Sequence, residues 1–156
     1  MPDTAEVNGL VETQAKLNQV VTDLRGPALL NGMRSVTAAV SADAKRLVTV
    51  DSGRLRSSLM PEIRQEGRTT MGVVGSNVKY AAAVEMGAKA HWAPSAPLKI
   101  WARRKGATKF LAAMGTAPYV WLKKREGIFF LKRALEKNTE MIKSVIGKIV
   151  TEIVNK

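Results

Sequence analysis

Two long apolar stripes at helical spacing lie toward the ends of this chain, and they limit what the segment between them can become. Leu29, Met33, Val36, Val40, Ala44 and Leu47 step by four, three, four, four and three residues, which lines them up on one side of an α-helix. The predicted helix covers about residues 27–48 and opens at Pro27, whose missing N–H costs nothing in a first turn. Leu131, Ala134, Leu135, Ile142, Val145, Ile149 and Ile153 mark a second long helix over 129–154. Val7, Leu10, Val11, Leu17, Val21 and Leu24 predict another over about 5–24, ended by the Arg25-Gly26-Pro27 break.

Between these helices the pattern changes. "MPEIRQEGRTTMGVVGSN" is rich in β-branched and turn residues and predicts antiparallel strands at about 60–66 and 69–75, a hairpin centred on Glu66-Gly67. "VKYAAAVEMGAKA" predicts a short helix stopped by Gly87. "HWAPSAPL", with Pro94 and Pro97, predicts a loop. Residues 96–105 predict a helix ended by Gly106, with Leu98 and Trp101 on one face, and 107–126 a further helix interrupted at Gly115 and Pro118. The sum is one α+β domain over 1–156: a small antiparallel β-sheet packed against several helices, with long N- and C-terminal helices. A hairpin alone is marginal in water, so the sheet is expected to gain another strand, with a second subunit as one source.

The chain's 156 residues suffice for a core without disulfides, and it has no cysteine. That removes thiol chemistry and cysteine metal sites, and fits synthesis in a reducing cytosol. "MPDTAEVNGL" has neither the basic nor the apolar region of a signal peptide, and no apolar run reaches membrane-span length.

Enzymatic readings find no support in the motifs. A Ser-His-Asp triad needs a histidine beside the serine, and the one histidine, His91, stands in the proline-rich segment with no G-x-S-x-G nearby. One histidine and no cysteine leave zinc only carboxylates. "GVVGSN" at 72–77 lacks the Lys-Ser/Thr of a phosphate-binding loop and reads as strand glycines. Glu62, Glu66 and Glu85 are the carboxylates near the sheet, and arginines nearby are their expected partners. The chain is therefore read as a non-enzyme, with no catalytic, cofactor-binding or metal-binding residue assigned.

Charge says more. There are 25 Lys and Arg against 13 Asp and Glu, net +12. Residues 1–24 are net −3, whereas 98–133 hold ten basic residues and one acidic, net +9. Such a block favours phosphate or an acidic protein surface. Arg103, Arg104, Lys105, Lys123, Lys124 and Arg125 are its candidate contact residues. The same cations also suit helix C-termini, where the dipole favours them. No Asn or Gln is interleaved to read base edges, so contact with DNA is expected through backbone phosphate. For His91 and Trp92 two readings stand together: an aromatic contact at a subunit interface, or a plug over the domain's own core.

"VDSGRLRSSL" at 50–59 poses a local problem. Asp51 or Ser52 is placed to cap a helix, yet Arg54 and Arg56 then fall in or near a first turn, each disfavoured by about 0.3–1 kcal/mol. At about 100° per residue, Leu55 and Leu59 share one face, with the two arginines on either side of it. They cannot clamp one anion together. They are read as reaching two partners, Glu85 for one and a neighbouring subunit for the other.

Several stretches in order resemble one family. "TVDSGRLRSSL" precedes the hairpin. "VGSNVKYAAAVEMGAKAHWAP" then carries Asn77, Tyr80, Ala81, Glu85, Gly87, His91 and Pro94. "LKIWARRKG" follows, and "FFLKRALEKN" carries Phe130, Leu131, Ala134, Leu135 and Glu136. Together they resemble the neck or tail-completion (head–tail joining, minor tail component) proteins of long-tailed double-stranded DNA bacteriophages, over about residues 48–138. The chain lacks a proline that the family usually carries near the last phenylalanine.

The resemblance implies a structural virion protein at the head–tail junction, assembled in the bacterial cytoplasm as an oligomeric ring that is expected to be hexameric. Its implied partners are further copies of itself, the adjacent connector and tail-tube proteins, and phage DNA in the lumen. Arg54, Arg56, Tyr80, Glu85, Trp92 and Trp101 are the residues assigned to fold or subunit contacts. The alternative from charge alone is a monomeric, non-specific DNA-binding protein with a phosphate-contacting patch. Neither reading involves a membrane.

Overall fold

The structure is a computed structural model that describes residues 8–23, 26–67 and 69–155. In chain order its elements are α1 (Asn8–Asp23), α2 (Pro27–Leu47), α3 (Arg54–Ser58), β1 (Leu59–Glu66), β2 (Thr69–Ser76), α4 (Ala81–Met86), β3 (Gly87–Ala88), β4 (His91–Pro94), α5 (Ser95–Arg104), α6 (Thr108–Met114), β5 (Tyr119–Leu122), β6 (Arg125–Glu126) and α7 (Phe130–Val154). The fold is α+β, with small antiparallel sheets and long helices toward both ends. The chain divides into two compact units, Met1–Lys79 with Phe130–Lys156, and Tyr80–Phe129.

The first unit is organised by α2. The whole predicted stripe, Leu29 to Leu47, is buried or half-buried, because α2 packs against α7 on one side and against β1 and β2 on another. Gly32 permits the close helix pairing: a Cβ there would run into the Ile149 side chain. From α7, Phe130, Ala134, Ile149 and Ile153 are buried. Leu135 lies on the same face yet is exposed, because it lines an open apolar groove with Met33, Val40, Leu131 and Ile142.

Asn138 belongs to a polar latch across this seam. Its Nδ2 donates to Asp43 Oδ2 at 2.9 Å and to the Ala134 carbonyl at 2.9 Å. Lys137 Nζ reaches Asp43 Oδ1 at 3.0 Å, and Arg46 reaches the same oxygen at 3.3 Å. Asp43 is nearly buried. The hydrogen bond from Asn138, then that from Lys137, favours the carboxylate and holds its pKa below the ordinary aspartate value. Ser41, two residues before Asp43 on α2, is buried with its Oγ unpaired among the described residues.

The hairpin forms as predicted and is slightly longer, β1 pairing with β2 from Leu59↔Ser76 to Glu66↔Thr69. Its turn starts at Gly67, φ 57°, a left-handed conformation that glycine adopts at no steric cost. On its outward face Arg64 forks onto Glu62 at 3.0 and 3.1 Å, so one expected carboxylate–arginine pair is present. The expected third strand is not supplied by the described chain, whose remaining strands pair among themselves.

Two local expectations at residues 50–59 are corrected. Neither Asp51 nor Ser52 caps α3. Gly53, φ 79°, occupies the cap position and brings no side chain of its own to it. Leu59 is not on the helix but heads β1, although Leu55 and Leu59 are both buried as one apolar anchor. Arg54 and Arg56 are exposed. Of the predicted helix at 5–24, residues 8–23 form α1; positions 5–7 and 24 lie outside the described residues.

Candidate partner-binding surface

In the second unit the helix predicted at 96–105 forms as α5, whereas the loop before it and the end of the helix predicted at 107–126 become a two-stranded ribbon. His91–Pro94 is strand rather than loop: Trp92 pairs with Trp121, and Pro94 with Tyr119. Proline is tolerated at the end of such a short edge strand, where its missing N–H breaks no ladder. The predicted helix at 107–126 stops at Met114, and Tyr119–Leu122 becomes strand. "YVWL" is aromatic and β-branched, residues that favour a pleated surface, and Gly115 and Pro118 detach it from α6. The ladder resumes as β3 and β6, Gly87↔Glu126 and Ala88↔Arg125.

Three sets of bonds hold the ribbon to its helices. Ser95, at the start of α5, donates through Oγ to Ala117 O at 2.6 Å and through N–H to Pro118 O at 2.9 Å. Ala107 N–H donates to Ala102 O at 2.8 Å, turning the chain from α5 into α6, where Trp101 and Phe110 meet edge to face at 6.0 Å. The N–H groups of Ile128 and Phe129 donate to the Val84 and Glu85 carbonyls, satisfying acceptors that the end of α4 leaves open. This last approach needs glycine: a Cβ on Gly127 would collide with the Glu85 carbonyl, and one on Gly87, φ 91°, with the Arg125 carbonyl.

What this scaffold displays is unusual for so small a unit. Residues 80–129 contain seven of the chain's eight aromatic residues, and nine Lys and Arg against two Glu, net +7. Only Ala102 and Met114 are buried among its hydrophobic residues. Trp92 and Trp121 stack at 5.3 Å with a 58° tilt, yet remain 65% and 50% exposed. Trp92 is therefore not a core plug. Tyr80, Met86, Ile100 and Tyr119 are exposed as well.

The predicted contact residues separate into groups. Tyr80, Trp101, Lys123 and Arg125 line one groove of about 490 Å³ together with Phe110 and Leu122. Lys124 and Arg125 line a second depression with Lys89 and Phe129. Arg103, Arg104 and Lys105 are exposed where α5 ends, and do not appear among the lining of either. Arg54 and Arg56 belong to the first unit and Glu85, half-buried on α4, to the second.

Sequence reasoning missed Trp121, whose role appears only once β4 and β5 pair, and Phe110, which meets Trp101 across the turn at Gly106. Among the described residues no group of three His, Asp or Glu is placed to hold a metal ion, and no helix is long and apolar enough to cross a membrane. No family model, curated protein or solved structure matches this chain.

Proposed function

We propose that this protein is a structural subunit of a tailed-phage head–tail junction, working by interlocking contacts in an oligomeric ring through which DNA passes. The observation that carries the reading is the second unit: 50 residues that bury two hydrophobic side chains and expose a tryptophan pair amid a net charge of +7. Exposed apolar surface bordered by charge is characteristic of a docking surface, and Trp and Arg dominate the energetics of such contacts. The ordered motifs from "TVDSGRLRSSL" to "FFLKRALEKN" support the family, and in a closed ring one basic patch per subunit repeats around the axis.

The roles divide accordingly. Tyr80, Trp92, Trp101 and Trp121 supply apolar anchors for a neighbour. Lys123, Lys124 and Arg125 meet phosphate or an acidic neighbouring ring, as do Arg103, Arg104 and Lys105 at the end of α5. Arg54 and Arg56 flank the Leu55–Leu59 anchor and serve fold or subunit contacts.

The test is a Lys123→Glu/Lys124→Glu change in the phage that encodes this chain. Filled heads and free tails in place of joined particles are expected; normal numbers of infectious particles would refute the reading. The net charge of +7 on the second unit also suits backbone phosphate, which keeps monomeric DNA binding as the second reading. Tight duplex binding by a monomer, with a log–log salt slope of several units, would favour it.

A further inference from the structure

The first unit carries an apolar surface of its own that has no cover. On α1, Leu10, Leu17 and Val21 lie within about 40° of one another at helical pitch, and they are 64%, 59% and 45% exposed. Glu12, Lys16 and Asp23 fall on the opposite side of the helix. Anchors at i, i+7 and i+11 are the spacing by which a helix lays its apolar side into a groove. The groove in the second unit has the matching character: Leu98, Trp101, Phe110 and Leu122 line it together with the cationic Lys123 and Arg125. Residues 1–24 are net −3 and the second unit net +7, so the two surfaces attract over distance as well as fitting by polarity.

The geometry points to α1 of one copy docking into the Trp101–Leu122 groove of a second copy. The contact is heterologous, one kind of surface on one subunit and another kind on the next. Repeated head to tail, it closes a ring or grows a filament. This inference rests on the ring reading above and specifies one contact of that ring. Leu10, Leu17 and Val21 are the anchors. Lys123 and Arg125 steer the approach without reading any particular side chain.

The experiment uses the full chain. Leu10→Asp/Leu17→Asp changes only exposed side chains, so circular dichroism and melting should match wild type, while the concentration at which the mass rises above monomer should increase at least about tenfold, as for loss of a hot spot. Lys123→Glu/Arg125→Glu should weaken association in the same direction. A photo-reactive benzoylphenylalanine in place of Leu17 should cross-link to residues 98–125 of a different copy, distinguished by mixing isotope-labelled and unlabelled chains.

A wild-type chain that stays monomeric at every concentration, or a benzoylphenylalanine chain that cross-links within one copy or between two α1 helices, would overturn the contact. So would protection of the groove by duplex DNA on a monomer. Unchanged oligomers from the α1 variant would sink this contact and leave the ring reading standing. Joined particles formed without the protein would sink the ring reading however α1 behaves.

Discussion

The two units solve opposite problems. The first, built on α2, α7 and the hairpin, holds ten of the twelve hydrophobic residues buried among those described, including the fully enclosed Leu59 and Phe130. The second holds two and displays most of the aromatic residues. Burial of apolar area is the main favourable term in folding, at about 25 cal/mol per Å², so the first unit supplies the stability of the free chain. The second keeps its apolar area for association. A substitution in the α2–α7–hairpin core should appear in melting temperature, and one among the exposed aromatic residues of the second unit in assembly.

The sharpest way to break that comparison is at its extremes. Phe130→Ala empties a fully enclosed site and should cost about 3–5 kcal/mol, read by urea unfolding. Trp92→Ala, in the exposed pair, should leave unfolding within about 1 kcal/mol of wild type while weakening association. Equal losses in stability would show the two surfaces to be alike.

Gly127→Ala comes next, because its new Cβ would press on the Glu85 backbone. The expected cost is about 1–3 kcal/mol. Hydrogen exchange should report the loosening at residues 80–129 before the α2–α7 pair.

A smaller effect distinguishes the latch. Asp43 has a lowered folded-state pKa, so its contribution is fully present above the unfolded value of about 3.9. It is lost as pH falls below that value through the folded one. Asp43→Asn should therefore lower stability at neutral pH and reduce its fall between pH 5 and about pH 2, measured by urea midpoints in both proteins. An unchanged acid slope would remove Asp43 from the account. Smallest is Ser41→Ala, which deletes an unpaired buried hydroxyl and should raise stability by up to about 1 kcal/mol.

The stripes from Leu29 to Leu47 and from Leu131 to Ile153 made the first unit legible in the sequence, because each reports a helix face by itself. The Glu66-Gly67 turn and the Gly87 stop are likewise local chemistry. In the second unit the helix before Gly87, the helix at 95–104 and the charge were legible, but the strands were not. "HWAP" and "YVWL" are four-residue strands whose status depends on each other across more than twenty positions. "TKFLAAM" beside the second is a good helix former, and it carried the helical reading too far. The Asp43–Asn138 bond joins residues 95 apart, and neither side chain announces the other. Gly53 stands at the cap of α3 in place of Asp51 or Ser52, so Arg54 and Arg56 enter a single short turn opened by a glycine.

The central claim is that the α2–α7 core of the first unit is complete in the free chain and the second unit is completed by a partner. Amide hydrogen exchange on the full-length wild-type chain, dilute and concentrated, tests it directly. The account predicts slow exchange in α2 and α7 at both concentrations. It predicts fast exchange in β4 and β5 when dilute, slowing as the mass rises above monomer. Strands β4 and β5 as protected as α2 and α7 in a dilute monomer, with no change on concentration, would contradict it.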